Sequence, residues 1–324
     1  MKKNVSLVLS GGGARGTAHI GVIEELEKQG FKIHSIAGTS MGAFVGGVYA
    51  TGKLKEFKEW ITSLKKMDVF KLVDFTIGKQ GFIKGNKVFE KLKEFVPDVH
   101  IEDLDINYLA TATDLTNRKE ILFTKGSIYD AIRASIAIPN ILTPFLYKGS
   151  ILVDGGVTDN IPVSHAKRIK NDILIAVDVN ADIPLVEVKD KNREPQGYQK
   201  AFNKIQSQFN KTFSYKDKSD KNREKDKDEE QPIYQKGFKK IQSLLNKNFS
   251  LGNKNGLNSF GIMNESYEMM RDKLVSSALE KNPPDILIKI PAESCTIYDF
   301  YKAEKLIKIG QKATTKSLED YKNK

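Results

Sequence analysis

The chain has 324 residues, 40% of them hydrophobic, which is enough for one large domain or two modest ones with a real core. A single cysteine, Cys295, excludes an intramolecular disulfide and points to a reducing compartment. The formal net charge of +11 points to an anionic partner, nucleic acid or an anionic lipid surface, and no apolar run approaches the length of a membrane span.

Met1-Lys2-Lys3-Asn4 imitates the start of a signal peptide, but the apolar run that follows is only Val5 to Leu9. That is too short for a signal peptide and reads as a first strand, so the expected location is the cytoplasm, at most peripheral to a membrane. The strand runs into Gly11-Gly12-Gly13-Ala14-Arg15-Gly16, and a helix follows with Ala18, Ile20, Val22, Ile23 and Leu26 apolar and Gly30 at its end. Ile33 to Ala37 is a second strand. It leads to Gly38-Thr39-Ser40-Met41-Gly42 and then to a helix of small residues, Ala43 to Ala50. Strand, sharp turn with Ser at its apex, then helix is the layout of a nucleophile elbow. The turn forces the Ser backbone into a strained conformation, and a side chain at Gly38 or Gly42 would collide with the neighbouring strand or helix. If the two strands are adjacent and parallel, both Gly-rich turns meet at one edge of the sheet.

The first turn fits G-x-G-x-x-G, but the acid a dinucleotide site requires at the end of the second strand is missing, because that strand runs into the Ser turn. The other reading is an oxyanion hole built on Gly11, Gly12 and Gly13, whose amides converge with that of Met41 where a tetrahedral oxyanion forms. A plain phosphate-binding loop is the remaining alternative.

Farther along, Leu54, Phe57, Ile61 and Leu64 lie at helical spacing, with Trp60 at the edge of the stripe. The spacing predicts a helix packed on the sheet, or, more sharply, a cover or lipid-facing helix. Asn86 to Phe95 is a short helix stopped by Pro97. Ile106 to Asp114 and Glu120 to Thr124 are strands joined by a turn, and Ser127 to Ser135 is a helix containing Arg133. A short strand, Ile151 to Val153, precedes Asp154-Gly155-Gly156. Pro162 starts a helix to about Ile169, and Asp172 to Val179 is a strand. Glu265 to Glu280 is helical, Pro284 to Ile290 is a last strand, and Phe300 to about Ser317 is a last helix. Strands alternating with helices predict an α/β fold, a three-layer α/β/α sandwich with a mostly parallel central sheet.

Between 183 and 256 the composition changes. This stretch carries 17 Lys and Arg against 10 Asp and Glu, and it holds a duplication: Tyr198 to Ser214 returns as Tyr234 to Ser250. On a helical wheel Tyr198, Phe202, Ile205, Phe209 and Phe213 share one arc, with Lys200, Lys204 and Lys211 opposite, and the second copy repeats the pattern. Basic amphipathic helices with aromatics on the apolar face suit an anionic membrane surface. The alternative is that they pack on each other or on a partner subunit in a homo-oligomer. No zinc motif or reader module supports nucleic acid. The chain thus divides into a catalytic domain, 1–182 and 257–324, and a basic insertion, 183–256.

A Ser nucleophile needs a proton acceptor. The four histidines are His19, His34, His100 and His165, none spaced as a metal site. A triad Ser40, Asp154, His165 can be drawn, although it places His165 inside the helix begun at Pro162. The alternative is a Ser–Asp dyad, in which Gly155 and Gly156 let the chain turn tightly behind Asp154. An aspartate with an unperturbed pKa near 3.9 serves only if it is held in reach and partly desolvated.

Taken together, these residues resemble the patatin-like phospholipases. The pattern of that family is a G-G-G-x-R-G loop, a G-x-S-x-G elbow and a D-G-G or D-G-A aspartate. Gly11 to Gly16 with Arg15, Gly38 to Gly42, and Asp154-Gly155-Gly156 reproduce it in order, with Arg133 to Pro139, Asn160 and Pro162 as further matching blocks. The resemblance covers about residues 4–182 and, more weakly, 260–320; the insertion departs from it. It implies Ser40 as nucleophile, Asp154 as base and the Gly loop with Met41 as oxyanion hole. It further implies a phospholipase A-type reaction on phospholipid or another lipid ester through an acyl-enzyme, with no metal or other cofactor. Arg15 then either touches a lipid phosphate or holds the Gly loop. A lipid transacylase and a non-catalytic lipid-binding module are the other functions that this pattern accommodates.

Overall fold

A computed structural model describes residues 3–72, 85–139, 141–185 and 259–323. Residues 3–185 and 265–323 belong to one unit. The duplicated amphipathic segments at 198–250 lie outside the described residues.

The described strands form one sheet: β1 (Lys3–Leu9), β2 (Phe31–Thr39), β3 (Asn107–Asp114), β4 (Lys119–Phe123), β5 (Phe145–Tyr147), β6 (Ser150–Asp154), β7 (Ile173–Ala181) and β8 (Ile286–Pro291). They pair in the order β5-β6-β3-β2-β1-β7-β8, with β4 also on β3. From β3 to β8 every pairing is parallel, while β4, β5 and β6 are antiparallel additions. The helices are α1 (Ala18–Lys28), α2 (Met41–Ala50), α3 (Leu54–Ser63), α4 (Lys66–Leu72), α5 (Asn86–Lys93), α6 (Ile128–Ser135), α7 (Ser259–Lys281) and α8 (Ala303–Lys322). They cover both faces of the sheet, as the alternation of strands and helices predicts.

Continuous apolar runs explain the central strands. β1 and β7 are buried over almost their whole length, which is the pattern of parallel strands covered on both faces. On one face Val8, Ala37, Leu174 and Ala176 pack with Ile161, Val163 and Val275 of α7. On the other, the small residues of α2 let it lie close: Gly47 sits over Ile132 and Tyr108, and the Tyr108 hydroxyl donates to Ala43 O at 2.8 Å. Ser127 caps α6 by accepting the Asp130 amide at 3.2 Å.

Two local expectations are corrected, and two short elements are added. The helix expected from Pro162 to Ile169 is a single turn, Val163–His165. Beyond it the chain is extended, because Lys167 O must accept the buried hydroxyls of Ser6 and Ser35, at 2.9 and 2.7 Å, and Arg168 reaches Asp172 and Asp285. The helix α3 packs on α2 rather than on the sheet: Phe57 lies against Phe44, with ring centroids 5.2 Å apart. Finally, β5 and α4 were not visible in the pattern; β5 has three residues, too few to show a period.

Candidate active site

The register of β3 builds the site. Along one edge β3 pairs with β2 as far as Thr111, opposite Thr39, and from Ala112 onward it pairs with β6, starting at Asp154. The other edge is taken by β4 over residues 110–114, so β2 and β6 must share an edge and follow one another along it. The end of β2 and the end of β6 therefore meet, one residue step apart, and Ser40 and Asp154 are the residues at that junction.

The turn at Ser40 has φ 53° and ψ −123°, a conformation strained for any side chain. Several contacts hold it. The Ser40 amide donates to Ser135 Oγ at 2.8 Å, and Thr39 Oγ1 donates to Asp159 O at 2.8 Å. A Cβ on Gly42 would lie 2.2 Å from Leu9 O, and one on Gly38 would lie 2.6 Å from Ala43 N, so neither position admits a side chain. Gly16 lies against the Met41 side chain and Gly155 against Thr111.

Asp154 is buried. Its Oδ1 accepts the Gly156 amide at 2.7 Å, and its Oδ2 makes no close hydrogen bond. Burial pushes the carboxyl up to about 6, opposed by the nearby Ser40 hydroxyl and the Gly156 amide. Such a carboxylate is ionised at neutral pH yet a stronger base than a solvated one. The Ser40 hydroxyl is near enough to favour its ionised form.

The Gly-rich turn faces the same junction. The amides of Gly12 and Gly13 have no partner among the described residues, and Met41 opens α2, where its amide has no intrahelical acceptor. Gly11 does not join them: its amide donates to Asn160 O at 3.0 Å, which corrects the expectation that it is a donor to an oxyanion. Its carbonyl accepts from Asn180 Nδ2 at 2.7 Å and Asn160 Nδ2 at 3.3 Å. Arg15 turns inward, donating to Asn180 Oδ1 at 3.2 and 2.7 Å and to Cys295 O at 3.4 Å. It ties the loop to β7, and its buried guanidinium is not free for a lipid phosphate.

A cavity of about 220 Å³ opens beside Ser40, walled by apolar groups that include Phe44, Phe57, Trp60, Ile138, Leu142 and Phe300. Trp60, at the edge of its helical stripe, lines this cavity and packs between Phe57 and Phe95. The apolar stripe of α3 therefore serves both as its contact with α2 and as a cavity wall.

Three of the four histidines are engaged elsewhere. His19 is buried, with Nε2 2.9 Å from Ser10 O, and burial pushes its pKa down to about 4, so it is neutral. His34 pairs with Asp172 at 2.8 Å. His165 Nε2 lies 3.1 Å from Glu120 Oε2 and 3.9 Å from Asp159 Oδ2. Among the described residues these last three are the one group whose ligand-type atoms lie within 4.8 Å of one another. Hydrogen bonding to Glu120 raises the His165 pKa, which favours the protonated imidazole beside the two carboxylates.

Ser135, Asn160 and Asn180 are site residues that the motifs did not single out by role. Ser135 and Asn160 fall within or beside the matching blocks, whereas Asn180 carried no local signal.

The family described as patatin-like phospholipase matches residues 7–167. An uncharacterised NTE family protein of Mycobacterium bovis is 32% identical over 330 aligned residues, covering 98% of this chain and 92% of its own. The lysophospholipase NTE1 of the yeast Debaryomyces hansenii is 37% identical over 187 residues, covering 55% of this chain but only 12% of its own length. Among solved structures, VipD from Legionella pneumophila aligns over 99% of this chain and 67% of its own, at 14% identity and a TM-score of 0.44. The chain belongs to the patatin-like phospholipase family. No helix among the described residues is long and apolar enough to cross a membrane.

Proposed function

We propose that this chain is a lipid acyl hydrolase that cleaves fatty-acyl esters of phospholipids or lysophospholipids by a Ser–Asp dyad. The observation that carries the reading is the succession of β2 and β6 along one edge of β3, which brings a strained Ser and a buried Asp together beside unpaired amides and an apolar cavity. The name of the yeast relative, a lysophospholipase, supports a lipid ester as substrate.

In this mechanism the acyl chain lies in the cavity and the ester carbonyl sits over Ser40. Ser40 Oγ attacks the carbonyl carbon and its proton passes to Asp154. The oxyanion accepts hydrogen bonds from the amides of Gly12, Gly13 and Met41, donors fixed before the charge develops. Collapse expels the alcohol, which takes the proton from Asp154, and leaves an acyl group on Ser40. Water then attacks, Asp154 takes its proton, and the second collapse returns that proton to Ser40 and releases the fatty acid. The segment at 198–250 would hold the catalytic domain, 1–182 and 257–324, at an anionic membrane surface.

The test is fatty-acid release from mixed phospholipid and lysophospholipid vesicles by wild type, Ser40→Ala and Asp154→Asn, with folding checked by circular dichroism. Release by wild type alone supports the dyad. Release surviving Ser40→Ala removes Ser40 as nucleophile. Acyl transfer to an added alcohol at the expense of free fatty acid would make the protein a transacylase, and no turnover on any lipid would favour a lipid-binding module.

A further inference from the structure

The stripe of α7 that faces the core carries Tyr267, Arg271, Val275 and Ala278 at steps of three and four residues. Val275 and Ala278 pack with the core, and Arg271 is buried and paired with Glu268 and Asp272. Tyr267, the first of these, reaches the dyad. A Cβ built on Gly156 would lie 3.1 Å from Asp154 Oδ1, 3.2 Å from Tyr267 Oη and 2.9 Å from Asn160 Oδ1. Three polar groups thus crowd around one glycine, which is why the second glycine of the D-G-G turn cannot carry a side chain.

Tyr267 Oη makes no hydrogen bond among the described residues, and Asp154 Oδ2 is buried without a partner. A half-buried phenol and a buried carboxylate that keeps one oxygen unpartnered flank the same glycine, and they are complementary as donor and acceptor. The phenol is held protonated, since burial and the Asp154 charge both push its pKa up. It can therefore donate to a carboxylate at any working pH.

We propose that Tyr267 is a positioning residue of the dyad, whose hydroxyl donates to the Asp154 carboxylate and keeps it ionised and aimed at Ser40. The inference rests on the assignment of Asp154 as the base. The other groups that face Asp154 are the Ser40 hydroxyl from the elbow, the Gly156 amide and Asn160 side chain from its own turn, and the Thr113 hydroxyl, which donates to Asp154 O. The charges of α7 nearest Tyr267, Glu268 and Arg271, neutralise each other. Glu120 and Asp159 are engaged with His165.

The experiment compares wild type with Tyr267→Phe, which keeps the ring and removes only the hydroxyl. The Asp154 carboxyl is titrated directly by carbon-13 NMR, assigned with Asp154→Asn, so this readout needs no turnover. In parallel the pH profile of kcat/KM is measured on a soluble short-chain ester. The expected result is a carboxyl titration about one pH unit higher in Tyr267→Phe. With it comes a loss of kcat/KM of about five-fold at pH 6 that closes above pH 8. An unmoved titration overturns the proposal, as does an equal loss at every pH, which is the mark of a merely structural tyrosine. Wild type that titrates as expected but hydrolyses no ester would defeat the proposed activity and leave the Tyr267–Asp154 interaction standing.

Discussion

Replacing Asp154 by Asn should make the protein more stable while abolishing its proposed activity. Burial raises the carboxyl from 3.8 to about 6, so the folded state holds the proton more tightly than the unfolded chain does. The sign follows from linkage: between those two values stability falls as pH rises, and above about 6 the full cost of ionising a buried carboxyl is present. A shift of about two units at roughly 1.4 kcal/mol each gives an upper limit of about 3 kcal/mol at pH 7.5, shrinking below about 1 kcal/mol at pH 4. Asn keeps an oxygen for the Gly156 amide and removes the charge. Urea or thermal melts of both proteins at pH 7.5 and pH 4 test this. A gain of about 2–3 kcal/mol at pH 7.5, about 5 °C or more in Tm, with little gain at pH 4 is expected. Equal stability at pH 7.5, or the same gain at both pH values, would refute the argument that Asp154 is a desolvated, ionised base.

Ester hydrolysis should rise through an acidic limb near pH 6, because Asp154 must lose its proton to act; a pH profile of kcat/KM on a soluble ester checks it. Ser40→Gly should raise stability by about 1 kcal/mol in urea melts, relief of the strain at φ 53° outweighing the backbone entropy of glycine, while activity is lost. Asn180→Ala should cost about 3 kcal/mol and lower kcat, since it strips the buried Arg15 of its acceptor and the Gly11 carbonyl of a donor; denaturation and steady-state kinetics read the two effects. For chains that still fit the apolar cavity, kcat/KM should rise about 15-fold for each two methylenes added, at about 0.8 kcal/mol per methylene, in a series of esters differing only in acyl length.

The parts of the site that were legible in the sequence are those with local chemistry. Gly38 to Gly42 declares its elbow because only glycine tolerates the approach of Leu9 and Ala43, and the structure has that turn. The central strands were legible because burial on both faces leaves unbroken apolar runs. What failed depended on long-range demand. Nothing near Pro162 says that Lys167 O must serve two hydroxyls from β1 and β2, so a helical pattern ended after one turn. Gly11 looks like its neighbours until Asn160 takes its amide. Tyr267 stands in a helix whose sequence has no marked apolar face, and its proximity to Asp154 exists only once α7 is laid on the sheet.

The strand β3 contributes neither reactive group, yet it works as a ruler for both. Thr111 and Ala112 are the graduations at which one neighbour stops and the next begins, so the spacing of Ser40 and Asp154 is written in a strand that carries neither. One residue inserted between them would part Ser40 from Asp154 by about 3.3 Å and turn the later pairing to the opposite face, leaving every motif intact. A chain of this family can thus lose its chemistry with every signature residue in place, through a change of length where no motif is found.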